Sequence, residues 1–184
     1  MQEASEKQYR TAGKLLIPDR VSIHDRPKEA DGKRFGDWEM DLVIGKVQKS
    51  QVLTLFERSK SYFMQTKLES KKPKDVADAF IRLLRPFKDS VYTITTDNSV
   101  EFMDHKRICK ALNCIVYFAD PYCSGQKGGV ENINKIFREF SPKGTDFRLI
   151  EQKDMDKVQY QINERPRKKL DFSTPKIEFY KMIH

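Results

Sequence analysis

The sequence is poor in the features that settle a protein's class at a glance. It has three cysteines, Cys109, Cys114 and Cys123, and three histidines. The cysteines are odd in number and never spaced C-x-x-C, so no zinc module can be read and reduced thiols are expected. No apolar run is long enough to cross a bilayer, and the N-terminus does not read as a signal peptide. The expectation is a cytoplasmic protein without a membrane partner. There is one tryptophan, Trp38, and no internal repeat or low-complexity block.

What is present points elsewhere. A length of 184 residues suits one domain with an arm at either end, enough to bury a core. Lysine and arginine exceed the acids, for a net charge of +8 and a pI near 9.3. A basic balance raises the odds of a nucleic-acid partner.

Residues 1–35 are polar, with Pro18 and Pro27, and read as an extended arm in which His24 is a surface or packing residue. Trp38 to Val47, Val52 to Arg58 and Ser61 to Leu68 are three strands joined by short polar turns, hence antiparallel. A helix follows from about Pro73 to Phe87, with Val76, Phe80, Leu83, Leu84 and Phe87 on one stripe. Val91 to Thr95 is a fourth strand, parallel to a neighbour after its helical crossover. A short helix (103–112) and a fifth strand (114–118) come next. Asp120 to Gly129 is a loop with three glycines, flexible or shaped for close backbone approach. Helices follow at about 130–140 and 153–163, and Thr174-Pro175 opens a closing helix. The sequence divides into the arm (1–35), a core (36–150) and a C-terminal helical extension (151–184). This element order is that of an α/β, ribonuclease-H-like fold: a five-stranded mixed sheet flanked by helices.

Three carboxylates stand out among 27 acids. Asp41 lies inside an apolar strand, where a lone carboxylate is costly unless paired, hydrogen-bonded or metal-bound. Asp97 sits just past a strand's C-terminal end, the usual ligand position in open α/β sheets. Glu131 begins a helix. In this fold the first and fourth strands are adjacent, so Asp41 and Asp97 become neighbours and a later helix can add the third acid. Hard oxygen donors select Mg²⁺ or Mn²⁺. Two such ions can activate water and stabilise the leaving oxygen of a phosphodiester. Taken alone, Glu131, Lys135 and Arg138 are equally compatible with a solvated, ion-paired helix face.

Several ordered motifs go further. Gly36-Asp37-Trp38-Glu39-Met40-Asp41, Thr95-Thr96-Asp97-Asn98, Tyr117-Phe118-Ala119-Asp120-Pro121-Tyr122, Glu131-Asn132, Pro142-Lys143-Gly144-Thr145-Asp146-Phe147 and Asn163-Glu164-Arg165-Pro166-Arg167 together resemble the catalytic core of bacterial insertion-sequence transposases. The family is the one numbered thirty, of the retroviral-integrase-like DDE class. The resemblance covers about residues 17–180. It implies that Asp41, Asp97 and Glu131 are the triad, holding two Mg²⁺ ions with Mn²⁺ as a substitute. It implies a polynucleotidyl transferase that hydrolyses a phosphodiester at transposon ends and then joins the freed 3′-hydroxyl to target DNA. It also implies DNA-facing roles for Asn98, Asn134, Lys135, Arg138, Arg165, Arg167 and Lys168, and a working complex that is at least a homodimer.

The sequence departs from the family pattern at four places. Ser99 replaces a glycine, with strain expected if the turn needs positive φ. Gly125 replaces a tryptophan, Ile133 a threonine and Glu139 a glutamine. Residues 1–35 lack the length and periodicity of the family's N-terminal helix-turn-helix region. The resemblance therefore implies a catalytic fragment or truncated gene product that binds DNA with little sequence preference. Two alternatives remain open: a plain nuclease of the same fold, and an inactive DNA-binding remnant.

Overall fold

The N-terminal arm supplies the first strand of the sheet. In the computed structural model, which describes residues 10–11, 14–15, 17–46, 50–121 and 123–183, Val21–Ser22 (β1) pairs in parallel with Ile115–Phe118 (β6). The other strands are Asp37–Ile44 (β2), Gln51–Glu57 (β3), Tyr62–Leu68 (β4) and Thr93–Thr96 (β5). The six-stranded sheet has the order β1-β6-β5-β2-β3-β4. Five strands were expected; a two-residue strand is too short for any period to reveal. A separate antiparallel pair joins Arg10–Thr11 to Lys14–Leu15.

The connections dictate the strand directions. Short turns make β2, β3 and β4 antiparallel, whereas β5 and β6 follow helices and run parallel to their neighbours. The first crossover contains Pro73–Leu84 (α1), with Pro73 in its first turn. The expected extension to Phe87 becomes a 3-10 turn over Arg85–Ser90, because Pro86 cannot donate the next α-helical hydrogen bond. The second crossover, His105–Leu112 (α2), ends on Asn113 in the left-handed conformation, which asparagine tolerates. Val47, the expected end of β2, lies outside the described residues.

The two faces of β2 bury different chemistry. Trp38 and Met40 join the larger core cluster, with Phe80 and Leu84 of α1, Ile108 and Leu112 of α2, and Ile94. Phe179, on Pro175–Tyr180 (α5), closes that side, stacked on Tyr62 with ring centroids 4.0 Å apart. Thr174 caps α5 as expected. Val43 belongs to the opposite cluster, with Val130, Ile133 and Phe137 of Gly128–Phe140 (α3) and Met155 and Ile162 of Gln152–Glu164 (α4). Side chains alternate along a strand, so Glu39 and Asp41 share Val43's side and look toward α3.

Helix α4 also seals an edge. The β4 strand is outermost, yet Asn163 accepts from Phe63 N and donates to Phe63 O, both at 2.8 Å, and Gln159 accepts from Gln65 N at 2.8 Å. These side chains satisfy backbone groups that would otherwise invite another strand. No helix among the described residues is long and apolar enough to cross a membrane.

Candidate active site

The register of two parallel strands creates the site. Strand β2 pairs with β5 so that Asp37 faces Thr93 and Glu39 faces Thr95. Carried two residues further, the same register brings Asp41 opposite Asp97. The β5 ladder ends at Thr96, so Asp97 stands free of it, and its Oδ1 accepts from Ser99 N at 2.9 Å. Asp41 and Asp97 are 24% and 39% exposed, open enough to meet a substrate. They line a cavity of about 420 Å³ together with Lys71, Ser99 and Glu101.

A lysine occupies the space between the two acids. Lys127, at the end of the 3-10 turn Ser124–Lys127, is 6% exposed and donates from Nζ to Asp41 Oδ1 and Asp97 Oδ2, each at 3.2 Å. Burial opposes its charge, but the two carboxylates outweigh that penalty and hold its pKa above the ordinary lysine value. Asn134, on α3, donates from Nδ2 to Asp41 Oδ2 at 3.0 Å, while its Oδ1 is buried with no partner. Glu131 lies four residues after Lys127 and three before Asn134. Helical periodicity puts it on the face that both neighbours turn toward the acids.

A buried carboxylate fixes that helix. Glu39 Oε2 accepts from Val130 N at 2.7 Å in the first turn of α3, and Glu39 Oε1 pairs with Arg58 Nε at 3.0 Å. An acid at a helix N-terminus also complements the helix dipole. Burial raises the pKa of Glu39, against the opposing pull of the Val130 N–H and the Arg58 and Arg26 charges. The contact demands glycine at 129, where a Cβ would sit 2.5 Å from the Phe56 ring and 2.9 Å from Glu39 Oε2. Gly125 and Gly128 have open space instead. The entry loop is tied down by Asp120, whose N–H donates to Gln126 Oε1 at 2.7 Å and whose carboxylate meets Gln126 Nε2 at 2.9 Å and His24 Nε2 at 2.7 Å.

The remaining expected site residues divide by what they touch. Asn98 bridges the Ala119 carbonyl and Arg20. Arg138 points inward, donating to Ile44 O at 2.7 Å and to the Ser141 and Pro142 carbonyls, so it clamps the end of β2. Arg167 is half-buried, with Nη2 3.3 Å from Ile162 O. Lys135, Arg165 and Lys168 are exposed. Ser99 has φ −74°, so no left-handed strain arises there. Ile133 is buried in the α3 core, and Glu139 faces Arg165 at 3.8 Å.

Three residues escaped the sequence reading. Lys127 sat in a glycine-bearing loop, although its spacing to Glu131 and Asn134 is helical. Glu39 precedes Asp41 by the two residues that put both on one face. Glu101 follows Asp97 by four residues in a short 3-10 turn.

Among the described residues, no three His, Cys, Asp or Glu side chains close to metal-holding geometry. The donor chemistry nevertheless fits a cation: two carboxylates already share one, and the free Asn134 oxygen lies beside them. Asp41 and Asp97 are carboxylates that could hold a divalent ion, with Glu131 on α3 as a candidate third ligand.

The transposase for insertion sequence element IS4351 of Bacteroides fragilis is 39% identical over 176 residues, covering 95% of this chain and 54% of that protein. The transposase InsI for insertion sequence element IS30A of Escherichia coli K12 is 34% identical over 169 residues, covering 89% and 43%. The chain belongs with the insertion-sequence transposases. A putative integrase, ORF3, of Spiroplasma virus SpV1-R8A2 B is 31% identical over 183 residues, covering 96% of this chain and 56% of that one. The chain thus spans about half the length of the curated relatives it matches. No family model matches it. The catalytic core domain of BIV integrase superposes with a TM-score of 0.60 at 16% identity, covering 81% of this chain and 96% of that domain. That likeness establishes the integrase-core, ribonuclease-H-like fold.

Proposed function

We propose that the chain is the catalytic domain of a DDE transposase, a metal-dependent polynucleotidyl transferase acting on transposon ends and target DNA. The observation that carries this reading is the parallel register that brings Asp41 and Asp97 around one cation, beneath the helix bearing Glu131. Asp41, Asp97 and Glu131 are assigned as ligands of two Mg²⁺ ions, with Mn²⁺ able to substitute. When bound, such ions supply an activated water and stabilise the leaving oxygen.

The chain's own residues do the positioning. Asn134 orients Asp41, and the buried Glu39–Arg58 pair holds the start of α3 so that its polar face overlies both acids. In the hydrolytic step, a water oxygen bonds to the phosphorus at the transposon end and the P–O3′ bond breaks, freeing a 3′-hydroxyl. In the joining step, that hydroxyl bonds to a target phosphorus and a target P–O3′ bond breaks. Neither step needs a covalent protein nucleophile. Lys135, Arg165 and Lys168 are assigned to the DNA backbone. Asn98 and Arg138 brace the chain at the ends of β6 and β2, and Arg167 braces the end of α4, given the protein groups they already engage.

The test is strand transfer with Mn²⁺, a pre-cleaved duplex and a plasmid target, with Asp97→Asn alongside. Joined products that vanish in the folded variant support the reading. Cleavage without joining indicates a plain nuclease. Equal activity in both proteins removes the triad assignment.

A further inference from the structure

We propose that Lys127 is an internal counter-cation that holds the place of the divalent ion, so that metal loading requires its displacement and DNA phosphate receives it. This rests on the reading of Asp41 and Asp97 as metal ligands, and goes beyond it by giving the competing charge an address in the chain.

The geometry carries the argument. The ammonium lies 3.2 Å from one oxygen of each acid, which is the position of a shared cation rather than of a peripheral salt bridge. At 6% exposure it is shielded from solvent, so the pairs are weakly screened and a cation entering the same space meets direct repulsion. The side chain can leave. A lysine stem is flexible, and a cavity of about 420 Å³ lies beside both acids, so the ammonium can swing out while its backbone stays in place. Asn134 stays attached to Asp41 through its Nδ2, so that acid keeps a fixed orientation when the lysine departs.

Departure strands a positive charge beside the cavity. A phosphodiester is the anion that a transposase brings to that place, and it satisfies the ammonium by a charge-assisted hydrogen bond. Metal and DNA are then linked through one side chain, and by reciprocity each tightens the other's binding. In metal-free protein Lys127 keeps two like charges together, holding the ligand pair assembled before either arrives. The arginine already paired with Glu39 cannot serve this way, since its partner is buried beneath the helix.

The experiment measures Mn²⁺ affinity by electron paramagnetic resonance, with and without a short DNA duplex, for the wild-type protein, Lys127→Met, Lys127→Gln and Asp97→Asn. Thermal melts check that each variant folds, and the glutamine variant replaces the methionine one if that fails to fold. Loss of the internal competitor should tighten Mn²⁺ binding by on the order of tenfold without DNA and shrink the gain that DNA confers on the wild type. A merely structural lysine would predict weaker binding on removal. Wild-type binding that is matched or weakened in both lysine variants overturns the placeholder while leaving the metal reading intact. Absence of Mn²⁺ binding in every protein, with and without DNA, overturns both.

Discussion

Glu39 and Asp41 lie two residues apart on one face of one strand, and they serve opposite ends. Glu39 is 2% exposed and its partners are fixed: a guanidinium and a backbone N–H of α3. Asp41 is partly open and its partners are exchangeable: a flexible ammonium and a side-chain amide. The two acids differ in burial, and they differ in whether the partner can leave.

Removing each acid in turn, and measuring both activity and stability, separates the two roles most strongly. Asp41→Asn keeps the shape and should reduce Mn²⁺-dependent strand transfer by more than about 10³-fold. Its urea midpoint should stay close to wild type. Glu39→Ala should do the reverse at the level of the fold. Arg58 loses its buried partner, at a cost on the order of 3–5 kcal/mol, seen as a lower urea midpoint. If Asp41→Asn were the more destabilised of the two, the division of labour would be wrong.

Much of this arrangement is legible in the sequence because strand order is. Three strands with short turns followed by two helix-linked strands give the element order of the ribonuclease-H-like fold, and in that fold the first and fourth strands are adjacent, which makes Asp41 and Asp97 neighbours. The rest hides for physical reasons. A two-residue edge strand at Val21–Ser22 carries no period. Lys127 sits in a loop whose glycines suggested freedom, while its actual partners come from β2 and the end of β5, 86 and 30 residues earlier in the chain. Ser99 suggested a strained turn, but the backbone there is extended and the Asp97 carboxylate takes its N–H. Arg138 belongs to the polar stripe of α3, and only the packing of that helix against β2 shows that Arg138 turns inward while Lys135 stays exposed.

The identity of the third acid gives the next largest effect. Glu131 is three residues before Asn134, which donates to Asp41, while Glu101 lines the same cavity as Asp41 and Asp97. Glu131→Gln should lower strand transfer by on the order of 10²-fold or more, with Glu101→Gln within a few-fold of wild type. The reverse ranking would assign the third ligand to the 3-10 turn after β5.

A pH titration sharpens the same contrast at smaller amplitude. Burial raises the Glu39 pKa in the folded state. Its contribution to stability is thus fully present below the unfolded glutamate pKa and is lost as pH rises through the folded one. Glu39→Gln should flatten that part of the stability curve, read as urea midpoints from mildly acidic to neutral pH. An unchanged slope would mean that the fixed partners fully offset the desolvation.

The smallest effects belong to the surface, where the distinction between fixed and exchangeable partners recurs among the arginines and lysines. Arg138 is committed to three carbonyls, whereas Lys135 and Lys168 are exposed on helical turns and Arg165 meets Glu139 only at 3.8 Å. A cation that neutralises one phosphate contributes about 0.9 to the slope of log affinity against log salt. Lys135→Ala and Lys168→Ala should each reduce that slope by about 1 in duplex binding, with little change in stability. Arg138→Ala should instead lower the urea midpoint, because the carbonyls at the end of β2 and just after α3 lose their donor. A slope unchanged by either lysine variant would move the DNA path away from the exposed side of α3 and the Lys168 turn.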